Sequence, residues 1–203
     1  MYRVSEVVKH LLIINVLMYV GSHMLNDAGW VDRIMLAMHY PSSPYFQPFQ
    51  IVTHMFMHGG LAHLFFNMFG VFMFGPPLEN LWGPKKFLFY YLATGFGALI
   101  LHLIVNYIEL NFFGVIPVPM LGASGALFGL LVGYGMNYPE NRIMLLIPPI
   151  PIKAKYFVMI YAGLELFLGF SGANTGIAHF AHLGGALAGL LLILYWRNNR
   201  SRF

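Results

Sequence analysis

Long apolar runs separated by short polar gaps dominate this chain. Six runs read as spanning helices: residues 7–25, 61–81, 86–107, 122–135, 156–170 and 176–196. A helix that crosses the hydrocarbon core needs about 20 predominantly apolar residues. The fourth and fifth runs are shorter, which suits helices buried in a bundle, where the chain can enter or leave below the lipid surface. Strand and helix patterns do not alternate. The pattern therefore predicts an all-α polytopic membrane protein with six transmembrane helices.

The gaps between runs are uneven. Residues 26–60 make a long first connection with few charges, containing Trp30, Phe46, Phe49 and Met55. Aromatic residues at that level anchor a chain in the interfacial layer. Residues 108–120 are rich in Phe, Gly and Pro, and Pro117 and Pro119 disfavour helix there, so the next helix is expected to begin near Gly122. Neither a separate soluble domain nor an internal repeat is visible.

Composition agrees. The chain of 203 residues is 59% hydrophobic and 9% charged, with a mean hydropathy of +0.69. A soluble domain carries about 25% charged residues. Cysteine is absent, which excludes a disulfide framework and a thiol nucleophile. The net charge of +4 is no nucleic-acid signal, because the basic residues sit in short gaps between apolar runs. Arg3 and Lys9 ahead of the first run resemble a signal peptide, but no Ala-x-Ala cleavage site follows, so the run reads as a retained span. With the N-terminus inside, Arg3, Lys9, Lys85, Lys86, Arg142, Lys153, Lys155, Arg197, Arg200 and Arg202 are all cytoplasmic, and only Arg33 is external. The positive-inside rule favours that topology, with both termini cytoplasmic.

The candidate chemistry begins at Ser124, in Gly122-Ala123-Ser124-Gly125. Near a helix N-terminus, backbone N–H groups lack intrahelical partners and favour negative charge. An oxyanion formed beside Ser124 would meet donors already aimed at it. A serine there also serves as an ordinary helix cap. The soluble nucleophile elbow Gly-x-Ser-x-Gly is not met, because Ala126 replaces its last glycine. His182 lies in an apolar run without nearby charge, and an ionisable group so placed reads as functional. As a neutral imidazole it could take the serine proton and return it to a leaving amine. His179 competes for the role, but Gly185 and Gly189 share the face of His182.

Gly125, Gly129 and Gly133 recur every four residues, as do Ala181, Gly185 and Gly189. Small residues so spaced let membrane helices approach closely, which would bring Ser124 to His182. No intramembrane aspartate stands out as an orienting third group, so the residues point to a dyad. Glu165, in the fifth run, is expected to face a loop or pair with a polar group. His63 and Asn67 share a helix face and can donate hydrogen bonds to an oxyanion without carrying charge. His54 and His58 are expected to tie the long loop together. A metal site is disfavoured by the lack of a His-Glu-x-x-His pattern.

Taken together, His63-x-x-x-Asn67, Gly122-x-Ser124-Gly125 and Ala181-His182-x-x-Gly185-x-x-x-Gly189 resemble the motifs of the rhomboid intramembrane serine proteases. The run from His58 to His63 and the Gly-Pro-Pro-Leu-Glu stretch ending at Glu79 are similar too. The resemblance implies one rhomboid-like domain over residues 1–203, with its core at about 53–191, and no further domain ahead of that core. It implies Ser124 as nucleophile and His182 as base. His63, Asn67 and the Ser124 N–H would form the oxyanion hole, with Gly122, Gly125, Phe128 and His58 in support. It implies no metal or cofactor and no nucleic acid. Single-span membrane proteins would be cut in the bilayer of the cell membrane, at a site opening to the extracytoplasmic side, with lateral access near the second and fifth spans.

Two departures are visible. Phe49 and Gln50 stand where bacterial members often have a Trp-Arg pair, and Phe128 stands where a tyrosine often stacks on the histidine. The rival readings are a catalytically silent relative that binds membrane proteins and a small proton-coupled transporter with buried histidines.

Overall fold

The computed structural model describes residues 4–27, 33–145, 148–171 and 178–199. Arg3, Trp30, Gly176, Arg200 and Arg202 of the sequence reading lie outside them. Among the described residues the helices run α1 (Glu6–Asp27), α2 (Gln50–Thr53), α3 (Leu61–Trp82), α4 (Pro84–Phe113), α5 (Ser124–Asn137), α6 (Ala154–Phe170) and α7 (His179–Asn198). The single-turn α2 apart, they coincide with the six apolar runs. By length and composition α1, α3, α4 and α7 can each cross a membrane. The protein is an all-α, multi-pass membrane protein.

Three boundaries differ from expectation, each for a local reason. Residues 108–113 continue α4 rather than opening a loop. They contain no Gly or Pro, and the helix stops only at Gly114, whose φ of +66° is left-handed. Second, α5 and α6 are joined by a hairpin of β1 (Arg142–Met144) and β2 (Pro151–Lys153), paired antiparallel with Ile143 opposite Ile152. Three-residue strands are too short to leave a period-2 signature. Third, only one of the two short helices is buried. α5 is covered along most of its length, whereas α6 buries only Ala154 and Glu165. With lipid as solvent, α6 can be apolar all round and still lie at the edge.

The centre is α4, α5 and α7, which approach through small residues. A Cβ at Gly125 would meet Ala98 of α4, one at Gly129 would meet Thr94, and one at Gly185 would overlap the Gly125 carbonyl. A Cβ at Gly189 would lie 2.5 Å from Tyr90 Oη. Tyr90 is fully buried and donates from Oη to the Gly129 carbonyl at 2.8 Å. Around this centre, Val8 and Leu11 of α1 and Leu64, Met68 and Val71 of α3 join Phe87, Tyr91, Ala126 and Ile193 in one apolar core.

At one end of α3, the carboxylate of Glu79 meets the start of α1. It accepts from Ser5 Oγ at 2.5 Å and from the Val7 and Val8 N–H groups, each at 2.9 Å. Those N–H groups have no helical partner of their own. The Gly-Pro-Pro-Leu-Glu stretch thus serves to dock α1. At the other end, the first connection folds onto the segment before α5. Met38 and Met120 exchange backbone hydrogen bonds of 2.8 and 2.9 Å. Gln50 is fully buried, donating to the Met35 and Tyr45 carbonyls and accepting from the His39 N–H, while Phe49 is half-exposed. This loop is therefore knitted by its buried glutamine.

Candidate active site

Ser124 opens α5 two residues after Gly122, whose φ is +120°. Only glycine adopts that backbone without strain. The turn is pinned by the Gly122 N–H, which donates to the His54 carbonyl at 2.9 Å. A Cβ on Gly122 would also lie 2.8 Å from His63 Nε2 and 3.6 Å from Ser124 Oγ. The histidine ring and the serine hydroxyl therefore border the same small space.

His182 sits in the first turn of α7. Its Nε2 lies 2.8 Å from Ser124 Oγ, within hydrogen-bond distance. The close contact of Gly185, about one turn beyond His182, with Gly125, the residue next to Ser124, sets that separation. Phe128 stacks on the imidazole at a centroid distance of 4.4 Å and an angle of 8°. The ring plane is held although the tyrosine hydroxyl is missing.

Asn67 is buried one turn along α3 from His63. Its Nδ2 donates to the His63 carbonyl at 2.9 Å, and its Oδ1 has no partner among the described residues. The amide has two hydrogens, so one remains for a ligand. His58 stands edge-on to His63 at 5.0 Å. Among the described residues its ring nitrogens make no well-aligned hydrogen bond, so the expected loop-tying role gives way to packing against His63. Burial, with His63 adding to it, pushes His58 down to about 4, so it is neutral at physiological pH. His54 does tie the loop, with Nδ1 on the Gln50 carbonyl at 2.8 Å.

Ser124, His182, His63 and Asn67 all line one cleft of about 1020 Å³. It opens between α3 and α6, walled by Phe66, Phe69 and Met73 on one side and Phe157 and Tyr161 on the other. Such walls suit an apolar polypeptide segment better than a small polar ligand. Among the described residues no group of three His, Asp or Glu is placed to hold a metal.

Sequence reasoning missed one neighbour. Glu165 Oε2 lies 2.7 Å from His179 Nδ1 and 3.0 Å from His182 Nδ1. Its pairing with a polar group was expected; its place beside His182 was not. The available signal was a lone glutamate in an otherwise apolar run. A search confined to aspartates passes it over.

Comparison with known proteins identifies the family. The sequence model described as "Rhomboid domain" matches residues 45–199. Rhomboid protease GluP of Bacillus subtilis (strain 168) is 31% identical over 140 residues, covering 69% of this chain and 24% of that protein. Rhomboid-like protein 11, chloroplastic, of Arabidopsis thaliana is 28% identical over 193 residues, covering 90% of this chain and 62% of that protein. Rhomboid protein 1, mitochondrial, of Saccharomyces cerevisiae is 30% identical over 142 residues, covering 70% and 40% respectively. The chain thus spans between about a quarter and two thirds of the length of these relatives.

Proposed function

The chain belongs to the rhomboid family, and on that footing we propose that it is an intramembrane serine endopeptidase with Ser124 as nucleophile and His182 as general base. The observation that carries this reading is the 2.8 Å contact of Ser124 Oγ with His182 Nε2. A serine hydroxyl is a poor nucleophile until a base removes its proton. As Oγ bonds to the scissile carbonyl carbon, its proton passes to Nε2. The resulting oxyanion faces His63, Asn67 and the Ser124 N–H at the open start of α5. Collapse breaks the C–N bond, and the amine leaves with the proton from Nε2. Water then attacks the acyl-serine, giving one proton through Nε2 back to Ser124 Oγ as the acid departs.

The substrate in this reading is a spanning segment of another membrane protein, single-span in the simplest case, reaching Ser124 from the side between α3 and α6. The charge distribution supports cytoplasmic termini and a site opening to the extracytoplasmic face of the cell membrane.

Fluorophosphonate labelling of detergent-solubilised protein tests the assignment. Wild type should label, and Ser124→Ala and His182→Ala should not. Equal labelling of all three would sink this pair. A folded but unlabelled wild type would select the non-cutting relative. The buried cluster of Glu165, His179 and His182 favours one other reading, a proton-coupled transporter. Proton flux that survives Ser124→Ala would select it.

A further inference from the structure

We propose that Glu165 is the positioning residue for His182. Its carboxylate, shared with His179, orients the imidazole with Nε2 toward Ser124 and stabilises the imidazolium that forms when the serine proton arrives. This inference rests on the serine-hydrolase reading above and deepens it from a pair of residues to a chain of three.

The geometry carries it. Glu165 is 7% exposed, on a helix that otherwise buries only Ala154. A carboxylate in an apolar segment is costly unless it is paired. Here the partners within reach are two imidazoles, both presenting Nδ1 to the same Oε2. Lys153, which ends β2, and Lys155 lie at the far end of this helix. The other titratable groups of the cleft are Tyr161, one turn back on α6, and His63 on α3. The face of α5 that meets α6 and α7 presents Phe128 and Ser124.

Proton arithmetic then fixes the tautomer. If Nε2 is to accept from Ser124, the proton of neutral His182 sits on Nδ1. That is the nitrogen facing Glu165. Phe128 stacks flat on the ring, so the axis from Nδ1 to Nε2 runs from the carboxylate to the serine.

The two histidines are not equivalent. His179 makes an aligned hydrogen bond to Oε2 and anchors it. His182 Nδ1 is at ion-pair distance but outside hydrogen-bond alignment. The attraction between Glu165 and His182 is therefore weak while the ring is neutral and grows when the ring is charged. An interaction stronger in the transition state than in the ground state is the kind that accelerates a reaction. In the step itself, Ser124 Oγ bonds to the electrophile and its proton forms the Nε2–H bond. The Nδ1 proton stays where it is, and Glu165 remains a carboxylate throughout.

The test follows the rate of fluorophosphonate labelling against pH for wild type, Glu165→Gln and Glu165→Asp. Glutamine keeps the shape and removes the charge. It should label at least roughly 10-fold more slowly, well inside the range seen when a histidine loses its carboxylate partner. The acid limb should also move to lower pH, because a neutral neighbour no longer favours the protonated ring. Aspartate keeps the charge and should hold the limb close to that of wild type. A merely structural glutamate would not move the limb. Glu165→Gln that labels with the rate and profile of a labelling wild type overturns this inference alone. A wild type that never labels overturns the serine-hydrolase reading and the inference with it. One readout needs no variant: in wild type, NMR should find His182 protonated at Nδ1 near neutral pH. The Nε2 tautomer would overturn the proposal.

Discussion

Two glutamates, Glu79 and Glu165, lie buried at 4% and 7% exposure, and they are held in different ways. Glu79 is enclosed by two backbone N–H groups and a serine hydroxyl. None of those donors changes its protonation at physiological pH. Glu165 faces two imidazoles, one of which touches the serine at the mouth of the cleft. An imidazole changes charge near neutrality. Both carboxylates satisfy the rule that buried charge needs partners, but only the second has a partner that can gain charge during a reaction. What distinguishes a structural acid from a functional one here is the chemistry of its donors, not its own burial.

The largest expected effect concerns what places Ser124 beside His182 at all. The Cβ of Gly185 would overlap the Gly125 carbonyl, so Gly185→Val must push α5 and α7 apart. Overpacking of this kind costs roughly 3 kcal/mol or more when backbone is the obstacle. We expect a large fall in thermal stability and no serine labelling. A folded, labelling Gly185→Val protein would show that the helix contact does not set the site, leaving more of the placement to the Glu165 cluster.

Next in size is Glu79→Ala, which strips the start of α1 of three hydrogen bonds at once. Hydrogen bonds to a charged group contribute about 1.5–3 kcal/mol, and these are not additive. We expect a loss of roughly 2–3 kcal/mol and a melting point several degrees lower, with the labelling rate per folded molecule unchanged. Glu165→Gln should do the reverse, moving rate more than stability. If Glu79→Ala slowed labelling as much as it lowered stability, the division between the two acids would fail.

Much of this was legible beforehand because lipid imposes strong rules. The six runs, the small-residue stripes and the pairing of Ser124 with His182 across them follow from hydrophobic length and four-residue spacing. Residues whose role depends on a distant partner were harder. Glu79 is one element in a turn-like motif until Ser5, Val7 and Val8 are seen against it. Glu165 sits on an edge helix, and nothing local tells which face turns toward α7. The hairpin escaped because its three-residue strands leave no period-2 signature, and the late end of α4 because it depends on a breaker that is absent from residues 108–113 before Gly114.

A third carboxylate sets the lower limit of the comparison. Glu140 leads into the hairpin, exposed to solvent, with Lys153 Nζ at 2.7 Å and Lys155 Nζ at 2.5 Å. The two lysines hold its carboxyl at about 2, well below the usual carboxylate range. A depressed carboxylate contributes its stability above its unfolded value and loses it as pH falls through the folded one. Any contribution of Glu140 is therefore complete at neutral pH and disappears only as pH falls from about 4.5 towards 2. Exposed ion pairs are screened by water and salt and contribute little in the median case. Glu140→Gln should leave the melting point at neutral pH nearly unchanged, in low salt and in high salt, and should leave labelling untouched. A fall comparable to that of Glu79→Ala would mean that the hairpin braces α5 against α6, and that burial is not what separates a carboxylate that matters from one that does not.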